Sequence, residues 1–394
     1  MKNCEVLIIG GGPAGSVAAS FLRLNKIDCV LVERDEFPRF HIGESLLPAS
    51  MPIYKEIGFY ETLSAGKYIQ KYGARFVDYE TDDEIYFGFN DGWNPNIPMA
   101  FEVERSKFDR DLLDHARKLG ADVRQPERVK DLEAHDDYVV VVTSQETYHA
   151  KFVIDCTGRD SFLGKRKKMR HANKSLNNFG VFAHFKDVER RPGRDEGDIT
   201  IGLLPNRSWT WVIPFKGDTT SVGVVASSSM LPAGADFAEY LTDNLCSSPR
   251  IKRMMANAER ITEITTIANY SHSNECFVGD RWICAGDAAA FLDPIFSSGV
   301  HVATTSGKLA ALTVVRALRE GLTLKMNGLD KDYEALIRKG VSRFYNLISL
   351  FYEGSFVEQM KKTLVRTNMR QGFTSAVAGD VWDDSNFLFE KGIL

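Results

Sequence analysis

Val6-Leu7-Ile8-Ile9-Gly10-Gly11-Gly12-Pro13-Ala14-Gly15 compresses a strand, a turn and a helix start into ten residues. The four apolar residues read as a buried strand, and residues 16–24 continue as an apolar helix. The glycines fit G-x-G-x-x-G. In that pattern Gly10 permits the tight turn, Gly12 lets backbone approach a pyrophosphate, and Gly15 packs helix against strand. Pro13 and Ala14 open a helix whose free N–H groups face the phosphates. Residues 28–33 form a second β-branched strand ending in Glu33, an acid placed to bind a ribose 2′-hydroxyl. A strand–turn–helix–strand unit this early predicts an α/β fold that begins with a parallel sheet.

Further along, residues 72–89 alternate like short strands, and 108–119 read as a helix with Phe108, Leu112, Leu113 and Ala116 on one face. Residues 138–142 and 152–155 look like strands of the first, parallel type. Residues 180–185, 200–204, 209–215 and 221–226 show period-two patterning and predict an antiparallel sheet. A short buried strand at 281–285 and an amphipathic helix at 299–319 follow. The expected architecture is a discontinuous dinucleotide-binding Rossmann-like unit (1–60, 100–175 and 275–325). It interleaves with an antiparallel-sheet substrate unit (61–99 and 176–274), and a helical C-terminal segment covers 326–394.

Composition narrows the function classes. The 394 residues are 44% hydrophobic and 26% charged, which excludes a disordered or collagen-like chain. Forty-nine Lys and Arg against 53 Asp and Glu give a net charge of -4, which argues against nucleic acid as a partner. Six scattered cysteines without a CxxC pair predict reduced thiols and no metal site. No apolar run is long enough for a membrane span, and the expected location is cytoplasmic.

Two patches argue for FAD rather than NAD. Cys284-Ala285-Gly286-Asp287-Ala288-Ala289 places an acid after a buried strand, where it can accept from ribityl hydroxyls. Asp155-Cys156-Thr157-Gly158 ends another strand with an acid and a small turn. Together with the N-terminal glycines these segments resemble the FAD-dependent monooxygenase superfamily. The resemblance implies that Arg34, Ile42, Gly43, Glu44, Ser45, Val129, Gly299 and Val300 also lie at the flavin. Arg105 sits where that superfamily has a flavin-contacting residue; read alone, it is a surface arginine at a helix entry. Glu44 read alone is a cap for the apolar segment after it.

Trp209-Thr210-Trp211-Val212-Ile213-Pro214 matches W-x-W-x-I-P, the motif of flavin-dependent halogenases. On a strand the two tryptophans share a face, so packing alone explains a pair but not the appended Ile213-Pro214. The resemblance implies a wall that keeps organic substrate from the flavin, so that halide captures the oxygen instead. Chloride or bromide needs N–H donors and little water, and Ser297, Ser298 and Gly299 at the start of a long helix offer both. By the same resemblance Lys71 is the essential lysine that receives hypohalous acid, either hydrogen-bonding it or forming a haloamine. Without the family it reads as a solvated edge charge.

The length leaves no room for the extra substrate region of tryptophan halogenases, and the Phe-His-Ile-Gly-Glu-Ser stretch (40–45) is similar to phenol and pyrrole halogenases. This implies reduced FAD, dioxygen and halide as co-reactants and a separate NAD(P)H-dependent flavin reductase. It also implies an aromatic acyl substrate tethered to an acyl or peptidyl carrier protein. Phe344, Tyr345, Leu350, Phe351, Tyr352 and Phe356 would cover the site. Lys361, Lys362, Arg366 and Arg370 would receive an acidic carrier or simply form a solvated face, and Trp382 with the tail would fold back as a lid. A flavin hydroxylase, a geranylgeranyl-reductase-like oxidoreductase and an FAD- or lipid-binding escort stay open.

Overall fold

The computed structural model describes residues 2–231, 234–268 and 270–394. Strand β1 (Lys2–Ile9), helix α1 (Pro13–Leu24) and strand β2 (Cys29–Val32) form the expected unit. β1 lies inside a seven-stranded sheet between β2 and Thr147–Asp155, both parallel to it. Asp122–Arg124 extends the sheet beyond β2, and Trp282–Cys284 pairs in parallel with the end of Thr147–Asp155. Every residue of β2 and the last four of β1 are buried, as strands covered on both faces must be. Residues 13–22 of α1 are buried as well, because the helix is sandwiched between that sheet and the helices Arg105–Lys118 and Ser298–Glu320.

The segment at 138–142 departs from the parallel expectation. Val139–Thr143 runs antiparallel to both Thr147–Asp155 and Val129–Ala134. Only residues 144–146 join it to the next strand, and a parallel crossover needs a dozen or more.

The second sheet has eight strands. Antiparallel pairs connect Asn178–Lys186, Thr220–Ser227, Trp209–Pro214 and Ile199–Leu203. The hairpin of Gly73–Val77 and Glu84–Gly88 joins through one parallel pair, Ile199 opposite Ala74. Those partners lie far apart in the chain, so no hairpin dictates their direction and the uniformly antiparallel expectation fails at this one ladder. All six residues of Trp209–Pro214 are buried. Trp209, Trp211 and Ile213 face the C-terminal helices, while Val212 packs on the other side with Leu241, Leu245 and Ile251. Gly223 lies across from Trp211, and a Cβ there would sit 2.4 Å from the indole. Gly223→Ala should therefore displace Trp211 and cost about 1–3 kcal/mol, read as a lowered urea midpoint.

Leu329–Tyr352, Phe356–Thr363 and Thr367–Val377 cover that sheet. The tail does not form a lid. Trp382 Nε1 donates to Leu336 O at 2.8 Å, and its ring lies over Gly340, where a Cβ would be 2.1 Å away. The basic residues of the segment are largely neutralised within the chain, Lys361 by Asp83, Lys362 by Glu358 and Arg370 by Asp91. Among the described residues no helix is long and apolar enough to cross a membrane, and no cluster of His, Cys, Asp and Glu could hold a metal.

Candidate active site

One cavity of about 870 Å³ runs from the α1 turn to the tryptophan strand. At its nucleotide end Gly10 has φ +104, and a Cβ there would meet Cys156 O at 2.4 Å. A Cβ on Gly15 would lie 1.9 Å from Gly10 O, so helix and turn touch only because it is absent. Gly12 is different in kind. A Cβ there would meet nothing nearer than Arg39 at 3.6 Å, and no side chain caps α1, so bare helix N–H groups face the cavity. This cradle fits a dinucleotide pyrophosphate. Pro13, Ala14, Glu33 and Arg34 line the same end, with Val129 and Gly158 beside them. Glu33 accepts from Gly11 N at 2.6 Å and from Asp35 N at 2.9 Å, which fixes its carboxylate at the cavity wall.

Asp155 and Gly286 do not join this lining. Asp155 is fully buried and spends its oxygens on Thr157 N, Thr157 Oγ1 and Leu163 N, building the turn instead. Gly286, at φ +62, lets the chain pass close to Ala14 and Ala303. Asp287 does line the cavity, and burial pushes its carboxyl up to about 6 against the pull of Arg105 and Arg159. Arg105 is not a surface residue: it is buried, chelates Asp109, and donates to Ile42 O at 2.7 Å and Gly43 O at 3.3 Å. It thereby moulds the Ile42–Gly43–Glu44–Ser45 wall, all four residues of which line the cavity. Glu44 caps nothing; its Oε1 is 2.9 Å from His184 Nε2.

At the other end Trp209, Trp211 and Ile213 line the cavity and Pro214 does not. The two indoles stand 5.8 Å apart, centroid to centroid. Trp209 Nε1 donates to Tyr352 OH at 2.9 Å, Tyr352 donates to Asp293 Oδ2 at 3.1 Å, and Asn178 Nδ2 donates to the same oxygen at 2.7 Å. Trp211 Nε1 donates to Ser221 Oγ at 3.1 Å. Both indoles are thus pinned. Tyr352→Phe should leave Trp209 Nε1 without its acceptor and Asp293 short of a donor, costing about 1–3 kcal/mol. A lower melting temperature together with altered tryptophan emission would report it.

Opposite this wall the helix Ser298–Glu320 begins after Ser297, which has φ 55, and no side chain caps its first turn. Ser297, Gly299 and Val300 line the cavity, whereas Ser298 is buried away from it. The geometry offers an anion a helix N-terminus and small residues.

Lys71 is neither solvated nor at the cavity surface. It ends Ile69–Lys71, a strand paired with Ala100–Glu102, and is 1% exposed. Nζ donates to Ser45 Oγ at 2.7 Å and Leu46 O at 3.2 Å, and it lies 3.9 Å from Glu102 Oε1. Ser45 Oγ in turn donates to Glu102 Oε1 at 3.1 Å. Burial lowers the Lys71 amine below its ordinary range and pushes Glu102 up to about 8. Lys71 therefore sits one hydroxyl behind the cavity, held by a carboxyl that sequence reasoning missed. Asn178, His184, Glu102, Asp293 and the specific role of Tyr352 had no local sequence signal, since each is defined by a partner distant in the chain.

A Rossmann-like sheet with a bare pyrophosphate cradle opening onto a pinned aromatic wall defines a flavin-dependent enzyme. Residues 3–319 match the FAD binding domain family. The 1H-pyrrole-2-carbonyl-(peptidyl-carrier protein) chlorinase of Pseudomonas fluorescens is 32% identical, over 88% of this chain and 83% of that protein. A crystal structure of a flavoprotein/dehydrogenase from Cytophaga hutchinsonii superposes with a TM-score of 0.89 at 29% identity, covering 99% and 96% of the two chains. A flavin-dependent brominase does so with a TM-score of 0.87 at 27% identity, covering 100% and 98%. The chain belongs to the flavin-dependent halogenases of the FAD binding domain family.

Proposed function

We propose that this enzyme chlorinates or brominates an electron-rich aromatic ring, a pyrrole or a phenol, carried as a thioester on an acyl or peptidyl carrier protein. The observation that carries the reading is the pinned Trp209/Trp211/Ile213 wall facing the uncapped helix start at Ser297–Gly299, with Ser45 and Lys71 to one side. Similarity to a chlorinase of carrier-bound pyrrole supports the substrate class.

In this reading Gly12, Glu33, Arg34, Asp287 and the 42–45 wall hold FAD, which a separate NAD(P)H-dependent reductase supplies in reduced form. In reduced form FAD would supply two of the four electrons for dioxygen, the halide supplying the other two as it is oxidised to hypohalous acid. Gly299, in the uncapped first turn, offers its backbone N–H group to the halide beside Ser297, and the indoles exclude water and organic substrate from it. Trp209, fixed through Tyr352, cannot swing aside. Lys71 acts on hypohalous acid through Ser45, which lines the cavity and whose hydroxyl accepts from Nζ, and burial holds the amine below its ordinary pKa. The electron-rich ring needs orientation only, because an electrophilic halogen adds without further activation.

Substrate form is tested by presenting the same pyrrole and phenol acyl groups free, as small thioesters and on a carrier protein. Carrier-bound rings are expected to be halogenated at least about tenfold faster, the gain that docking-driven orientation supplies. Equal rates on free rings would overturn the tethered assignment.

A further inference from the structure

The reaction consumes a proton whose source the catalytic residues above do not include. Halide, dioxygen and reduced FAD balance to hypohalous acid, oxidised FAD and one water only if one proton is taken up. Transfer of the halogen to a ring C–H then releases a second water. The proton taken up comes from solvent and has to be delivered at the reacting atoms inside the cavity.

We propose that Glu44 delivers this proton into the cavity and that His184 recharges it from solvent. The assignment rests on the halogenase reading above. Glu44 lines the cavity, its side chain is 1% exposed, and Oε2 is buried with no hydrogen-bond partner. A buried carboxylate oxygen left open in this way costs free energy unless it serves a ligand or a proton. The other oxygen, Oε1, is 2.9 Å from His184 Nε2. His184 lies on Asn178–Lys186 with its side chain 14% exposed, wedged between Phe40 and Phe215. Phe40 is itself 53% exposed, so the ring sits at the molecule's edge. The dyad thus spans from solvent to cavity with one shared hydrogen bond.

Protonated His184 passes its Nε2 proton to Glu44, and Glu44 gives one proton up into the cavity. Solvent restores the proton to the vacated Nε2 of the neutral ring, so one proton enters per turnover and both groups return to their starting charge. Burial opposes the charge on His184, but the hydrogen bond and charge of Glu44, with Glu104 beyond, outweigh it and hold the ring above its ordinary value. Arg105, Glu102 and Lys71 are the other charged groups acting on this wall. His41 beside them is held neutral, its pKa lowered to about 3 by burial and by Arg105. Glu44 would be the catalytic acid and His184 a positioning and recharging residue.

The first test needs no turnover. NMR titration of histidine-labelled protein should show His184 titrating above 6.5 in the wild type and lower in Glu44→Gln, where only the more distant Glu104 still opposes burial. The second reads halogenation against pH with reduced FAD and bromide. The wild-type rate should fall as pH rises through the His184 titration. His184→Gln should lose that limb and slow by at least about tenfold, with rate regained on adding imidazole. FAD affinity should stay unchanged in His184→Gln. A His184→Gln enzyme at wild-type rate with its alkaline limb intact overturns the proposal, as does a His184 titration indifferent to Glu44→Gln. A wild-type enzyme that forms no aryl halide overturns the functional reading instead, and the titration separates the two failures.

Discussion

Lys71→Ala is expected to abolish aryl halide formation, by about 100-fold or more, while FAD binding and oxygen consumption persist. Two features make the separation clean. Lys71 does not line the nucleotide end of the cavity, so its loss leaves the cradle intact. Its partner Glu102 is already pushed up to about 8 by burial; without the ammonium the carboxyl simply keeps its proton, and no bare charge is stranded. Lys71→Met, which fills the same volume beside Phe89, should behave alike and exclude a packing defect. Product quantified by mass spectrometry, beside flavin titration and an oxygen electrode, checks all three statements. Aryl halide persisting in either variant would remove Lys71 from the mechanism.

A comparable loss is expected at the nucleotide end, and two glycines distinguish binding from folding. A methyl group on Gly12 meets only Arg39, at 3.6 Å, but would occupy the face proposed to take the pyrophosphate. Gly12→Ala should keep the melting temperature of the FAD-free protein and weaken FAD binding by at least about tenfold, because a close backbone approach is lost. On Gly15 the same methyl lies 1.9 Å from Gly10 O, so α1 must move off the turn. Gly15→Ala should lower stability by about 1–3 kcal/mol and weaken FAD binding as well. Calorimetric melting and fluorescence titration of FAD separate the two. Equal behaviour of the variants would contradict the different roles assigned to these glycines.

The parts of this fold legible in the sequence are those governed by neighbours in the chain. The β1–α1–β2 unit follows from apolar periodicity and glycine spacing, and the indole wall from strand alternation. An acid at a strand end is ambiguous, because the same residue type suits a ligand or a turn. Asp287 reaches the cavity and Asp155 does not, and nothing within either segment distinguishes them. Lys71 reads as a solvated edge charge in isolation because its burial depends on Ser45 and Glu102, brought in by long-range pairing. Likewise His184 meets Glu44 across 140 residues and Trp209 meets Tyr352 across 143. Their local sequences carry no trace of those bonds. Trp382 misleads for the opposite reason: an aromatic in a turn-rich tail looks free, yet the missing side chain of Gly340 makes a seat for it.

The central claim is that halide, not oxygen, reaches the ring. Mass spectrometry of carrier-bound pyrrole and phenol substrates after incubation with reduced FAD, bromide and isotopically heavy dioxygen tests it most directly. The account predicts products carrying the bromine isotope doublet and no heavy oxygen. Products that carry heavy oxygen without bromine, or a reduced double bond, would contradict it and assign this cavity to a hydroxylase or a reductase.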